Sequence, residues 1–308
     1  MLSTSLLYAN ILSYNAYMEY TVIESPCKTA LYRHNTKWLP FNYDINVYRG
    51  CSHRCIYCYA QYSHGYIGDD DFFGSIHAKT NVAEVLRKEL LRFGRETVNL
   101  GGVTDSYQPA EREMKLMPGV LKLLADFKVP AILSTKSPLI LRDTELFCRI
   151  DREAGAMAAF TVTTMDAGVA ALIEPGSALS AARMAAVKEM KKAGLTCGVH
   201  LMPVIPLLTD SSESLEAVFA AAHDAGADYV LVSGLNLRGA TRDGFFEAVR
   251  QRFPYLYKDM ITLYADKVAW RSAKDKTFEV VNRLRTKYRM PSYVTLKIKP
   301  APEQLSLF

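Results

Sequence analysis

Short apolar segments alternate along most of this chain with segments whose apolar residues recur at helical spacing. Apolar runs bounded by glycine, proline or turn residues predict β-strands, whereas a period of three to four residues predicts amphipathic helices. Six strands are predicted in this way, at residues 43–48, 97–102, 130–136, 156–164, 195–206 and 228–234. Helices are predicted between them at residues 81–94, 116–127, 138–154, 177–194 and 211–226.

The regular alternation of strand and helix predicts a parallel sheet with crossover helices. The predicted strands contain few charges, as expected when helices cover both faces of the sheet. No break in composition divides them, so we expect one barrel-like α/β domain. After Gly239 the alternation stops, and a C-terminal extension rich in aromatic and basic residues is predicted to be helical at residues 242–256, 257–270 and 273–288.

Composition changes this picture little. No apolar run reaches the roughly 18 residues that a membrane span requires. The first 17 residues are mildly apolar but have no basic residue ahead of the apolar part, so a signal peptide is not expected. We expect residues 1–23 to be a poorly ordered leader, with Met18 as an alternative start. Six cysteines in 308 residues are too few for disulfides to organise the fold, which favours a reduced, cytoplasmic setting.

The net charge of +5 is distributed unevenly. From Arg250 to Phe308 there are 13 Lys/Arg and only 5 Asp/Glu, so the rest of the chain is slightly acidic. A basic C-terminal quarter is typical of proteins that bind a polyanion, although a solvated helix face would carry the same charges.

The most informative segment is the sequence YRGCSHRCIYCYAQ, which places Cys51, Cys55 and Cys58 within eight residues. Structural zinc sites use four ligands, usually as two separated pairs, and no second pair is present. A thioredoxin-like motif needs only C-x-x-C and leaves Cys51 without a role. Iron–sulfur clusters are held by thiolates, and three thiolates on four irons would leave one iron open to a chelating ligand. The loop follows the first predicted strand, at the edge where parallel barrels place their active sites.

The triplet with an aromatic residue before its last cysteine resembles the motif of the radical S-adenosylmethionine (radical SAM) enzymes. Together with GGVTDSYQPAE and STKSPLILRD further along, it resembles the spore photoproduct lyase family and its photolyase-like relatives. The resemblance implies a partial (β/α)6 TIM-type barrel over residues 24–240, which binds a [4Fe–4S] cluster and S-adenosylmethionine. A basic helical extension over residues 241–299 and a tail over residues 300–308 would follow it.

The resemblance also implies the roles of individual residues. Cys51, Cys55 and Cys58 would bind the cluster, and Tyr57 would lie against the adenine of the cofactor. Glycines after the second strand would let the backbone approach the methionine moiety closely. The other cofactor-binding residues implied are Gly101 and Gly102, Thr104 next to them, Lys136 for the carboxylate, Thr163 or Thr164 for the ribose, and Arg183.

One departure from the family bears on the reaction. The lyases return a hydrogen atom to the product radical from a cysteine near the end of the second strand, where this chain has Gly101 or Gly102. We therefore expect Tyr57 and Tyr59, on either side of the last cluster cysteine, to serve in a hydrogen relay. Two substrate classes remain open: a DNA lesion, which the basic C-terminal quarter favours, and as the alternative a peptide or protein. Barrel residue His200 could contact the substrate or be a satisfied core histidine.

The last residues, QLSLF, resemble the short peptide by which bacterial replication and repair proteins dock on the DNA sliding clamp. A polar anchor at Gln304 and apolar anchors would fill a groove on the clamp, whereas the alternative is a tail that folds back on the barrel. The apolar anchors would be Leu305, Leu307 and Phe308. The radical chemistry further implies an electron donor such as flavodoxin or ferredoxin.

Overall fold

The computed structural model describes residues 19–34, 36, 39–237 and 239–300. Within these ranges it contains ten strands. They are β1 (Thr21–Glu24), β2 (Leu31–Arg33), β3 (Tyr43–Ile45), β4 (Tyr48–Arg49), β5 (Ser75–Ala78), β6 (Val98–Leu100), β7 (Ala131–Thr135), β8 (Ala156–Thr161), β9 (Thr196–Val204) and β10 (Val230–Gly234).

The same ranges contain ten α-helices and two 3-10 helices. The α-helices are α1 (Val82–Leu90), α2 (Glu111–Met114), α3 (Leu116–Asp126), α4 (Thr144–Glu153), α5 (Ala167–Ile173), α6 (Ser180–Lys192), α7 (Ser212–Asp224), α8 (Gly239–Arg252), α9 (Tyr257–Ala265) and α10 (Lys267–Tyr288). The 3-10 helices are Tyr59–Ile67 and Pro138–Asp143. None of the described helices combines the length and apolarity needed to cross a membrane.

A seven-stranded sheet forms the centre of the fold, in the order β10-β9-β8-β7-β6-β3-β2. Six of its strands run parallel, and only β2 pairs in the antiparallel direction, with β3. The six parallel strands follow one another in sequence order, with helices between most of them. This arrangement confirms the predicted α/β fold of the partial TIM-barrel type with helices at its C-terminal end.

Parallel pairing brings the carboxyl ends of these strands to one edge of the sheet. Leu100 pairs with Leu133, and Thr135 pairs with Phe160, so the residues that follow β6, β7 and β8 reach the same edge. Most side chains of these strands are buried, and those of β8 are buried on both faces, which explains their nearly continuous apolar sequences. Fully buried core residues in these strands include Val98, Ala131, Leu133, Phe160, Val199 and Leu201.

A second, three-stranded sheet in the order β1-β5-β4 was not predicted. Residues 21–23, at the end of the predicted leader, belong to its strand β1, whereas residues 1–18 lie outside the described residues. The short helix α5 was also missed, because its seven residues are too few to show a helical period. Its start is nevertheless encoded locally, since the carboxylate of Asp166 accepts a hydrogen bond from the amide of Val169 at 2.9 Å.

Several predicted helix boundaries differ from the structure, and two of the differences have a local cause. The helix expected over residues 138–154 begins as a 3-10 turn, because Pro138 follows a capping serine whose hydroxyl accepts from the Leu139 amide at 3.3 Å. The last two helices were expected to meet near residues 271–272, but the break lies at Asp266. Its carboxylate caps α10 by accepting from the amides of Val268 at 2.8 Å and Ala269 at 3.1 Å.

Candidate active site

The three clustered cysteines lie on a loop, Gly50–Cys58, between β4 and the first 3-10 helix; we call it the cysteine loop. Cys51 and Cys55 are buried, Cys58 is half-buried, and all three are free thiols. Gly50 has φ = +82°, and a Cβ atom there would lie 2.5 Å from the carbonyl oxygen of Ser75. Glycine is therefore required where the chain enters the loop.

Side chains from the segment after β6 hold the first half of the cysteine loop. Oε1 of Gln108 accepts a hydrogen bond from the amide of Ser52 at 3.0 Å, and its Nε2 donates to the carbonyl of Gly50 at 3.1 Å. The hydroxyl of Thr104 donates to the same carbonyl at 2.6 Å. Thr104, which we predicted to contact the cofactor, thus lies directly against the loop that carries the cysteines.

The segment after α5 holds the other side of the loop. The amide of Gly176 donates to the carbonyl of His53 at 2.9 Å, and the amide of Ile56 donates to the carbonyl of Ile173 at 3.0 Å. A Cβ atom at position 176 would lie 2.0 Å from the backbone oxygen of Ser52. Only glycine permits so close an approach of the two backbones.

A buried carboxylate, Glu174, connects several of the predicted site residues. One of its oxygens accepts from the phenol of Tyr57 and from the hydroxyl of Thr163 at 3.0 Å. The other lies 2.6 Å from a guanidinium nitrogen of Arg183. Arg183 is 1% exposed and also donates to two backbone carbonyls at 2.8 Å. The structure therefore brings Tyr57, Thr163 and Arg183 together around a residue that we did not predict.

Electrostatics keep this network ionised. Burial alone would raise the pKa of Glu174, but Arg183 and Lys136 hold the pKa of this carboxyl below its usual range. Burial opposes the charge of Lys136 as well, yet Cys55 and Glu174 together raise the pKa of its amine above the usual value. The ammonium of Lys136 lies 5.5 Å from the centre of the Tyr57 ring. A fixed positive charge therefore stands beside the cysteines.

Asp105 ties the cysteine loop to the end of β7. Its carboxylate accepts from the hydroxyl of Thr135 at 2.7 Å and from the amide of Lys136 at 2.8 Å. It also lies 3.4 Å from Nδ1 of His53 within the loop. Burial lowers the pKa of His53 to about 4, although Asp105 opposes this shift, so the imidazole is neutral at physiological pH.

The predicted glycines lie at the end of β6. Gly101 has φ = +86°, and a Cβ atom at Gly102 would lie 2.7 Å from a carboxylate oxygen of Asp44. The phenol of Tyr59 donates to the carbonyl of Gly102, while 61% of this tyrosine remains exposed. Tyr59 therefore lies directly beside the glycines at the end of β6.

Two further candidates have local partners. The hydroxyl of Thr164 accepts from the amide of Asp166 at 3.1 Å, which forms the turn into α5. Nδ1 of His200 lies 3.1 Å from the hydroxyl of Ser134, and Nε2 lies 3.1 Å from the phenol of Tyr229. Burial and the charge of Lys136 lower the pKa of His200 to about 4. His200 is thus a neutral histidine with both nitrogens in contact with hydroxyl groups.

The donor set of the cysteine loop fits a thiolate-bound cluster. Burial raises the pKa of the Cys55 thiol to about 12, although the charge of Lys136 opposes the rise. Burial is also the main cause that raises the pKa of Cys51, and charges on Asp105, Cys55 and Cys58 add to it. Such thiols lose their protons when a metal takes their place, since thiolates are the ligands. Two buried thiols and a half-buried one, with a lysine beside them, are therefore suited to a metal cluster.

Sequence reasoning missed Glu174 and Gln108. A glutamate between an apolar run and Pro-Gly, in LIEPGS, is a recognisable signal, because an acidic residue in an apolar context usually has a buried partner. Gln108 offered no comparable signal. Its role depends on contacts with Gly50 and Ser52, which are distant in sequence.

Comparisons with known proteins agree with this geometry. A family model described as the Radical SAM superfamily matches residues 45–235. An uncharacterized protein of Mycobacterium tuberculosis is 40% identical over 250 residues, which cover 79% of this chain and 74% of the relative. An uncharacterized protein of Methanocaldococcus jannaschii is 27% identical over 246 residues, 80% of this chain and 86% of the relative.

Solved structures of spore photoproduct lyase have a similar fold. One of them matches with a TM-score of 0.58 at 15% identity, over 76% of this chain and 66% of the lyase chain. The chain thus spans just under two thirds of the length of that lyase. At this level of identity, the similarity concerns the fold alone.

Proposed function

We propose that this chain, which belongs to the radical SAM superfamily, cleaves S-adenosylmethionine reductively and abstracts a hydrogen atom from a damaged nucleotide in DNA. The superfamily implies a [4Fe–4S] cluster and S-adenosylmethionine as cofactors. The observation that carries the proposal is the convergence of the three clustered thiols, the Lys136 ammonium and the Glu174 network at one edge of a parallel sheet.

Cys51, Cys55 and Cys58 would hold the cluster. When bound, the cluster and S-adenosylmethionine supply a one-electron reduction and a 5′-deoxyadenosyl radical that abstracts hydrogen. The protein's own task is to position these groups and exclude water. Gln108, Thr104 and the close approach of Gly176 support this, because they hold the cysteine loop on both sides through short hydrogen bonds.

The surrounding residues would orient S-adenosylmethionine. The ammonium of Lys136 is suited to pair with its carboxylate, since the amine stays protonated in this setting. Gly101 and Gly102 would present backbone groups to the methionine moiety at the end of β6, next to the Asp44 carboxylate and the Ser106 hydroxyl. The ring of Tyr57 is held by Glu174, as is the hydroxyl of Thr163, so we assign Glu174 and Arg183 a positioning role.

The basic extension supports DNA as the substrate. Trp270, Lys274 and Phe278 of α10 line a cleft together with Val204 and Gly234, the last residues of β9 and β10. The helix therefore borders the same sheet edge as the cysteine loop. Lys267, Arg271, Lys274 and Lys276 are exposed, and an exposed basic helix beside an active site favours a polyanionic substrate.

Tyr59 supports a hydrogen relay. Its phenol contacts the Gly102 carbonyl, beside the position of the cysteine that donates hydrogen in the lyases. A phenol can return a hydrogen atom to a product radical where no thiol is present. We therefore propose Tyr59 as the donor to the product, with Tyr57 behind it on the other side of Cys58.

The test is anaerobic reconstitution, reduction with dithionite, and incubation with S-adenosylmethionine and ultraviolet-irradiated duplex DNA. Chromatography should show 5′-deoxyadenosine, and mass analysis of the nucleosides should show loss of a photoproduct. If the cluster-loaded protein forms no 5′-deoxyadenosine under any condition, the enzymatic proposal is wrong. If it cleaves the cofactor but leaves DNA unchanged and binds it without salt dependence, the peptide-modifying alternative is favoured.

The proposed sliding-clamp peptide, Gln304–Phe308, lies outside the described residues and stays a prediction. Short linear peptides bind weakly because they must be ordered on binding. We expect a dissociation constant near the micromolar level, or about −8 kcal/mol. Calorimetry of the tail peptide against the clamp of the same organism would measure it, with a peptide lacking Leu307 and Phe308 as the control.

A further inference from the structure

Two histidines and an aspartate lie together in the segment that directly follows the cysteine loop. His64 belongs to the 3-10 helix Tyr59–Ile67, Asp69 follows that helix, and His77 belongs to β5. One ligand atom from each side chain lies within 4.8 Å of the other two. These residues take no part in the proposed cofactor site, so their proximity calls for a separate explanation.

The cluster is largely enclosed. His64 is 1% exposed, and the side chains of His77 and Asp69 are 15% and 23% exposed. Nε2 of His77 lies 2.9 Å from Oδ2 of Asp69, and the other oxygen of Asp69 accepts from the amide of Asp71 at 2.8 Å. The Asp69 carboxylate is thereby held with one oxygen directed at His77.

His64 provides the second observation. Its Nε2 lies 3.0 Å from the carbonyl of Ser75, so this nitrogen carries the proton and donates it. Its Nδ1 is buried and has no hydrogen-bond partner among the described residues. Leaving a buried polar atom unpaired is costly, and each such atom needs an explanation. A histidine that donates one N–H to a backbone carbonyl and keeps the other nitrogen free has the arrangement typical of a metal ligand.

We propose that His64, Asp69 and His77 bind a divalent metal ion of the zinc class, separate from the iron–sulfur cluster. Imidazole nitrogen and carboxylate oxygen are ligands that zinc accepts, usually with four ligands in tetrahedral geometry. Bond lengths of 2.0–2.2 Å place tetrahedral ligands about 3.3–3.6 Å apart. The 2.9 Å contact between His77 and Asp69 must therefore lengthen slightly, and the other ligand atoms, which lie within 4.8 Å of one another, must move only modestly. Water would fill the fourth position, and a neutral His77 that binds through Nε2 would carry its proton on Nδ1.

The position of this site indicates what it does. A Cβ atom at Gly50 would lie 2.9 Å from Cε1 of His64, so His64 packs against the residue before Cys51. The 3-10 helix that carries His64 begins directly after Cys58. A metal that joins this helix to β5 would therefore stabilise both ends of the cysteine loop.

The experiment measures zinc and iron together in the full-length, cluster-loaded protein by mass spectrometry, after zinc supplementation and gel filtration. We expect about one zinc per chain in the wild type. The C51A/C55A/C58A variant should lose its iron and keep its zinc, because the zinc does not depend on the cysteines. X-ray absorption at the zinc edge should show nitrogen and oxygen at about 2.0–2.2 Å and no sulfur near 2.3 Å.

The His64→Gln and His77→Gln variants should lose the zinc. His223→Gln is the matched control, since His223 lies 3.4 Å from Asp224 but is exposed on α7, and within the described part of the chain it belongs to no group of metal-ligating side chains. Asp69→Asn, at a partly exposed position that should tolerate the change, should lower zinc affinity at least tenfold in competition with a chromophoric chelator. Zinc–sulfur bonds, no zinc in the wild type, or unchanged zinc in both histidine variants would overturn the proposal.

Discussion

Charged residues are buried and paired at the sheet edge around the cysteine loop, whereas those on helix α10 of the extension are exposed. Around the loop, Glu174 pairs with Arg183, and Asp105 lies against His53, all of them buried. Along the first half of α10, Lys267, Arg271, Lys274 and Lys276 are exposed, and the described residues include no ion-pair partner for any of them.

This difference in burial suits the two regions to different tasks, one to hold side chains in place and the other to bind a partner. Buried charges that satisfy one another fix the positions of side chains, and the loss of one partner leaves an uncompensated charge. Exposed basic charges contribute little to stability and remain available to a partner. We therefore expect substitutions at the sheet edge to affect folding and the cofactor, and substitutions on α10 to affect binding of substrate alone.

The largest effect should come from Cys55→Ala. Anaerobically reconstituted wild-type protein should hold about four irons per chain, whereas the variant should hold essentially none and lack the visible absorption of the cluster. Cys148→Ala is the control, because this thiol is half-buried and lies 3.6 Å from the carbonyl of Ala193, away from the loop. Full iron retention in Cys55→Ala would contradict the assignment of the cluster ligands.

Glu174→Gln should come next, since it leaves Arg183 buried without its carboxylate. Breaking a buried ion pair lowers the free energy of unfolding by about 3–5 kcal/mol. Urea denaturation measures it. Glu247→Gln is the control in the extension, where an exposed glutamate lies 2.6 Å from Arg250, and we expect no measurable change in stability. Equal effects of the two substitutions would refute the contrast between the two regions.

The ion pair of Glu174 and Arg183 also predicts how the stability of the protein depends on pH. The pKa of Glu174 in the folded protein lies below its usual range, whereas an unfolded glutamate titrates at about 4.3. The stability that Glu174 provides is therefore complete above that value and is lost as the pH falls toward the folded pKa. The stability of Glu174→Gln should fall less steeply than that of the wild type below about pH 4.3.

Two glycine-to-alanine substitutions, one in each region, should change stability by smaller amounts and in opposite directions. Gly176→Ala forces a Cβ atom onto the Ser52 carbonyl and should destabilise the fold by about 1–3 kcal/mol, with reduced iron content. Gly244 is exposed on helix α8, and a Cβ atom there would meet no described atom within 4 Å beyond the helix's own backbone and chain neighbours, so Gly244→Ala should stabilise the fold by about 0.5–1 kcal/mol. Thermal denaturation distinguishes the two variants. Destabilisation by Gly244→Ala would contradict the exposure of this position on α8.

The smallest effect on stability should come from Arg271→Ala and Lys274→Ala. Each should leave unfolding and cofactor cleavage unchanged but reduce the slope of log affinity against log salt by about 1 for each DNA phosphate that the side chain no longer neutralises. Fluorescence anisotropy with duplex DNA measures the affinity at each salt concentration. Lys88→Ala is the control, because Lys88 is exposed but lies 2.6 Å from Glu84 on α1. Unchanged DNA affinity in a variant that carries both substitutions, Arg271→Ala and Lys274→Ala, would remove α10 from the binding surface.

Much of the fold was predictable because its signals are local. The six parallel strands were predicted from apolar runs between glycines, and five crossover helices were predicted from their spacing. Strands β1, β2, β4 and β5 were not, since each has only two to four residues and too short a pattern. The boundary at Asp266 was misplaced because its capping bonds depend on backbone geometry and not on periodicity.

The sequence by itself determined the order of the strands and helices, the basic extension and the cysteine triplet, because each depends on neighbours along the chain. The partners of those cysteines were decided only in three dimensions. Glu174 meets Tyr57 across 117 positions, and Gln108 meets Ser52 across 56. The His64, Asp69 and His77 cluster arises in the same way, because a turn and a strand pairing bring together side chains whose spacing resembles no metal motif. Contacts of this kind leave no periodic signal, since they depend on how the whole chain packs.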